Sequence, residues 1–262
     1  MMAPTEGGPS LSIDGGVATI LLDQKRRLNA MQLRTWKALP ELMALAENEP
    51  SVRLILLRGA GGAFGAGNDI AELATLRGDP EAAADYARAM ATAMFAVEAT
   101  PKPVLVAIEG QCYGASVALA LTGDIRIAAD DATFAITPAK LGAMYLRSDL
   151  HRLVAAVGQG QSKMLIYSAQ PIGAHRAQQI GLVDHVTPAT DFEAEVARLV
   201  EAISRGSTTT LRLTKDVLRT VGLGPTPAET AESLALFVET TQGADFAEGV
   251  DAFLAKRRPR FA

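Results

Sequence analysis

The chain has 262 residues, 48% of them hydrophobic and 21% charged, with a net charge of −4. That is enough for one large core, and no basic stripe with interleaved aromatics points to nucleic acid as a partner. A single cysteine, Cys112, excludes a disulfide framework within the chain and fits a reducing, cytoplasmic compartment; no apolar run reaches membrane-spanning length, and His151, His175 and His185 lack metal-ligand spacing, so neither membrane nor metal is expected.

Residues 1–10 read as a loose leader. Residues 17–22 form a strand, 24–29 a polar, basic loop, and 31–47 a helix with Leu33, Trp36, Leu39, Leu42 and Met43 at helical spacing and Pro40 as a kink. A buried strand over 54–57 runs into five glycines between Gly59 and Gly67, and Asn68 and Asp69 stand where the next helix begins. A strand ending in glycines before a helix start is suited to hold an anion, because the first N–H groups of a helix lack partners and face the positive end of its dipole. Three readings of the loop compete. As a dinucleotide fingerprint it fails, with Phe64 at the third glycine position and Asp79 in a turn. As an oxyanion site, an N–H near Asn68 would meet a developing enolate. As plain structure, it is a glycine-rich surface turn.

Residues 80–100 are alanine-rich and helical, ended by Thr100-Pro101-Lys102-Pro103, and 104–108 form an all-apolar strand. Glu109-Gly110 turns the chain into 111–122, apolar nearly all round and expected as one buried helix with Gly114, Ala115 and Ser116 thinning its start. Strands follow at 125–128 and 133–137. This order predicts an α/β fold of stacked ββα units with parallel strands buried on both faces. Beyond residue 150 helices dominate, at 151–157, 161–168, 174–179, 191–204, 208–221, 227–240 and 245–257, with one short strand at 183–186. The expected division is a core over 11–200 and a helical region over 201–262 used for packing and oligomerisation.

Seven segments in one order resemble the crotonase superfamily, the enoyl-CoA hydratase/isomerase family. They are Arg27-Leu28-Asn29-Ala30, residues 63–70, Pro101-Lys102-Pro103-Val104, Glu109-Gly110 with the following segment to Asp124, and residues 138–142, 177–183 and 248–257. The resemblance implies the ClpP/crotonase-like fold and an acyl-CoA thioester as substrate, with coenzyme A arriving as part of it and no resident cofactor. It implies that the backbone N–H groups of Asn68 and Ala115 hold the thioester oxygen as it becomes an enolate, although relatives usually carry glycine at the second position. It carries coenzyme A and acyl contacts to Arg26, Arg27, Leu28, Ala30, Ala66, Gly67, Asp69, Ile70, Gly114, Pro138 and Leu141. Phe253 and Lys256 become contacts often supplied by a neighbouring subunit of a homotrimer or dimer of trimers.

The resemblance fails at the two glutamates with which hydratases of the family activate water. Ala118 and Pro138 stand there, and neither can carry a proton. The segment from Thr137 to Tyr145 also resembles methylmalonyl-CoA-decarboxylase-like members, in which loss of CO2 generates the enolate without a base. Tyr145, Asp149 and His151 border the acyl pocket by this resemblance, with Tyr145 suited to orient a leaving carboxylate. Their structural alternatives are a packing tyrosine, a helix N-cap and an exposed helix residue. Hydrolysis, and acyl-CoA binding without catalysis, are the further readings.

Overall fold

The alternation of short apolar runs with glycine turns and amphipathic helices is realised as a large sheet with helices on both faces. The structure, a computed structural model, describes residues 7–220, 231–257 and 259. Strands β1 (Pro9–Asp14) and β2 (Val17–Leu22) form an antiparallel hairpin, and helix α1 (Leu33–Asn48) leads to β3 (Leu54–Gly59). The glycine loop and the short α2 (Ile70–Ala74) precede α3 (Pro80–Ala99) and β4 (Val104–Ile108). Then come β5 (Gln111–Tyr113), α4 (Ala115–Ala120), β6 (Ile125–Ala129), β7 (Thr133–Ala135) and α5 (Pro138–Leu141). The remaining described elements are α6 (Arg147–Ser168), β8 (Ile172–Gly173), α7 (Ala174–Gln179), β9 (His185–Thr187), α8 (Phe192–Ser204), α9 (Thr208–Thr220), α10 (Ala231–Gln242) and α11 (Ala244–Leu254).

The large sheet has the order β1-β2-β3-β4-β6-β9, parallel from β2 onward, and a small sheet has the order β5-β7-β8. All five residues of β4 are buried, as a parallel strand covered on both faces requires. On one face Ile20, Ile55, Leu57 and Val106 pack with Trp36, Phe64 and Tyr86; on the other Leu54, Leu56, Leu105 and Ile127 pack with Phe192 and Val196 of α8. The expected ββα unit is β4-β5-α4 and again β6-β7-α5, with one strand in each sheet and then a helix.

Three expectations change. Residues 111–122 are not one helix, because Gln111–Tyr113 pairs with β7 in the small sheet and the helix spans only Ala115–Ala120. Both parts are apolar, and an apolar run this short carries no period that separates strand from helix. Pro9 and Ser10 belong to β1, paired with Leu22 and Leu21, rather than to a leader, and residues 1–6 lie outside the described residues. Helix α6 starts at Arg147, ahead of His151, and is broken at Gly158 (φ 73°), inside the expected gap between its two halves. Pro40 sits within α1 without ending it. The expected helix over 227–240 falls partly outside the described residues, and its described part belongs to α10.

Two glycines seat α11 on the site. A Cβ on Gly249 would lie 2.5 Å from the Leu141 backbone, and one on Gly142 would lie 2.2 Å from that of Asp245. Backbone therefore meets backbone where α11 crosses the end of α5. Among the described residues no helix is long and apolar enough to cross a membrane.

Candidate active site

The glycine loop after β3 is tied down residue by residue. Asn29 is buried and donates its side-chain amide to Ala60 O (2.8 Å) and Ala63 O (2.7 Å). Gly65 N–H donates to Gln111 O, and Tyr113 N–H donates to Gly65 O, both at 2.9 Å, which fastens the loop to β5. Gly67 N–H donates to Ser116 Oγ at 3.0 Å. Met31 closes the far side, with its N–H bonded to Gly67 O (2.7 Å) and its carbonyl to Asp69 N–H (2.9 Å). Asn68 is thus held between two pinned neighbours. Its side-chain oxygen accepts from Trp36 Nε1 at 3.0 Å.

Gly67 lets the two loops touch. Its φ is +93°, and a Cβ there would lie 2.8 Å from Tyr113 O and 3.2 Å from Ala115 N, so only glycine fits. Asn68 and Ala115 line the same cavity, and among the described residues nothing accepts from either backbone N–H. Ala115 is the first residue of α4, as expected for an orphan donor. Asn68 is not at a helix start. Asp69 is the N-cap of α2, accepting from Ala71 N–H at 3.0 Å, and Asn68 lies one residue outside.

The cavity has a volume of about 60 Å³. Besides the two loops, its walls are Met90, Pro138, Leu141, Met144, Tyr145 and Leu146, together with Asp149 and, from the helical region, Phe237, Thr241 and Phe246. Ala66, Gly67, Ile70 and Gly114 also line it. Asp69 does not, because its buried carboxylate accepts from Gln32 Nε2 (2.8 Å) and pairs with Arg27 while capping α2. Leu28 O accepts from Ala66 N–H (2.8 Å), which places the Arg26 to Ala30 loop beside Ala66. Arg26 and Leu28 are exposed there. Phe253 and Lys256 are exposed on α11 and just beyond it, away from the cavity.

Tyr145 is buried and donates its hydroxyl to Gly114 O at 2.5 Å, directly behind Ala115. Burial pushes its phenol well above the ordinary range, with the nearby Asp149 and Cys112 adding to the effect, so it stays protonated near neutrality. Asp149 is not an N-cap. It lies in the first turn of α6, behind the Leu146 cap, and accepts from Arg152 Nη1 at 3.0 Å. Arg152, also buried, reaches on to Glu98 at 2.7 Å. His151 is half-buried and away from the cavity. Ala118 is fully buried in the core and does not reach the cavity wall, whereas Pro138 does. Among the described residues no His, Cys, Asp and Glu cluster could hold a metal.

Met90, Phe237, Thr241 and Phe246 are not legible as cavity residues in the sequence, since amphipathic helix faces carry no mark of what they cover. Ser116 alone had a signal, as a hydroxyl in an otherwise apolar helix beside a predicted donor.

Residues 12–262 match the enoyl-CoA hydratase/isomerase family. The chain belongs to that family. A curated relative, the methylmalonyl-CoA decarboxylase of Escherichia coli strain K12, is 33% identical, over 94% of each chain. A solved enoyl-CoA hydratase/isomerase family protein from Hyphomonas neptunium is 37% identical, with a TM-score of 0.80 over 97% of each chain. A methylmalonyl-CoA decarboxylase crystallised with 2S-carboxypropyl CoA superposes with a TM-score of 0.84, at 29% identity, over 100% of this chain and 99% of that one. The fold is therefore that of the crotonase enzymes, as the resemblance implied.

Proposed function

We propose that this enoyl-CoA hydratase/isomerase family member acts on a short acyl-CoA thioester through an enolate, and that it forms the enolate by decarboxylation rather than by glutamate-driven hydration. The observation that carries the reading is the pairing of two unpartnered N–H groups, Asn68 and Ala115, on one small cavity with the loss of both glutamate positions to Ala118 and Pro138. Losing CO2 leaves the electron pair on the α-carbon and its charge on the thioester oxygen, and a proton taken up from solvent at the α-carbon then completes the product thioester. The loss of CO2 needs donors aimed at developing charge and no base. A cavity of about 60 Å³ with largely apolar walls suits a short acyl group and disfavours a hydrated carboxylate. Tyr145 buttresses the Ala115 loop and presents its ring to the acyl group.

The adenine end of coenzyme A would lie over Leu28, Ala30 and Ala66, with Arg26 and Arg27 toward the phosphates. Asp69 serves there by fixing the loop and Arg27. No resident cofactor is required, and the single buried thiol suits a cytoplasmic setting. Phe253 and Lys256 would complete the coenzyme A contacts from a neighbouring subunit of a trimer or dimer of trimers. Light scattering at micromolar concentration is expected to give one of these masses; a monomer overturns the assembly.

The test is a panel of malonyl-, methylmalonyl- and enoyl-CoA thioesters followed by mass spectrometry. Loss of CO2 from a malonyl-type thioester is the expected product. Free acid and coenzyme A would instead indicate a hydrolase, and tight binding with no product from any thioester an acyl-CoA binder.

A further inference from the structure

We propose that Ser116 is a positioning residue that sets the separation of the two oxyanion donors, a role that rests on the oxyanion reading of Asn68 and Ala115. Ser116 directly follows Ala115, and Gly67 directly precedes Asn68. The single hydrogen bond from Gly67 N–H to Ser116 Oγ (3.0 Å) therefore ties the residue beside one donor to the residue beside the other.

The surroundings are cut to admit this hydroxyl. Ser116 is fully buried, and a Cβ on Gly65 would lie 2.3 Å from its Oγ. Glycine at 65 makes room for the hydroxyl, and glycine at 67 lets the loops close over it. Each loop is fixed on its far side by another element, the first by Met31 and the second by Tyr145, which donates to Gly114 O. Between the loops, Ser116 supplies a hydrogen bond from helix α4 across to the Gly67 backbone. With alanine at 116 the Gly67 N–H loses its acceptor in a dry environment and the loop must shift to satisfy it. A shift on the order of 1 Å in a donor pair is the kind of misplacement that costs up to about 10²-fold in rate while leaving the distant coenzyme A contacts intact.

The test uses the full chain and a readout that a merely structural role would not move. Wild type, Ser116→Ala and Ser116→Cys are loaded with acetyl-CoA labelled with carbon-13 at the thioester carbonyl. The carbonyl stretch is followed by difference infrared spectroscopy, and affinity by calorimetry. Polarisation by two aligned donors lowers the stretching frequency in wild type. The expected result is that Ser116→Ala binds with unchanged affinity but loses most of that lowering, with Ser116→Cys in between. On the malonyl-type substrate, kcat should fall with KM unchanged. A full lowering in Ser116→Ala overturns the proposal, and where that variant does not fold, a full lowering in Ser116→Cys does so. No lowering in wild type removes the oxyanion reading itself, and this proposal with it.

Discussion

Purified protein is expected to hydrate crotonyl-CoA about 10² to 10⁴-fold more slowly than a family member with both glutamates, the range that general acid–base groups supply. Water must be held by acceptors and lose a proton while the α-carbon gains one. Pro138 lies on the cavity wall with no side-chain donor or acceptor and no N–H. Ala118 offers a methyl group that is fully buried behind the wall. Tyr145 is a poor replacement base, because burial holds its phenol protonated and its proton is committed to Gly114 O. Loss of absorbance of crotonyl-CoA measures the rate. Ordinary hydratase turnover sinks the idea and turns attention to Asp149, the carboxylate among the wall residues. In the Ala118→Glu, Pro138→Glu double variant a gain should come mainly from position 138, since a glutamate at 118 enters the core as a new buried charge.

Replacing Asn68 by proline should lower turnover by about 10² to 10³-fold, the cost of losing one oxyanion donor. Proline removes the N–H, but it also removes the side chain that accepts from Trp36 Nε1. Asn68→Ala separates the two effects. It keeps the N–H and abandons the buried indole donor, so it should cost about 1–3 kcal/mol of stability with turnover near wild type. Steady-state kinetics on the malonyl-type substrate and urea unfolding of both variants provide the comparison. Equal turnover in the two variants would remove the Asn68 N–H from the chemistry.

Much of this cavity could be read from the chain because its two loops are shaped by backbone. Glycines at 59, 61, 62, 65 and 67 after an apolar strand, and small residues from 114 to 116, mark places where main chain must come close to something. What stayed hidden depends on tertiary contact. Asn68 and Asp69 both read as helix-start residues, and only the Ala71 N–H bond decides which one caps. Gln111 to Tyr113 read as helix because strand and buried helix are alike in three apolar-flanked residues, and pairing with β7 decides it. Phe237 and Phe246 are indistinguishable in sequence from other core aromatics of amphipathic helices. Asp149, a candidate by its place in the chain, does line the cavity, and the sequence does not show that Arg152, one helical turn on, ties it to a charge network reaching Glu98.

The seating of α11 against α5 through Gly142 and Gly249 has a thermodynamic consequence. Phe246 of α11 and Phe237 of α10 close a cavity whose floor comes from β3 and α4 loops far earlier in the chain. Displacing those helices would take Phe237, Thr241 and Phe246 off the cavity wall and let water reach the two loops. Any thioester that fits the closed cavity therefore binds the docked form in preference, and by linkage it must hold the two helices down as firmly as they hold it in. Ligand affinity and the local stability of the C-terminal helices are then two readings of one equilibrium. A substitution at either glycine would weaken binding without touching a single atom of the substrate.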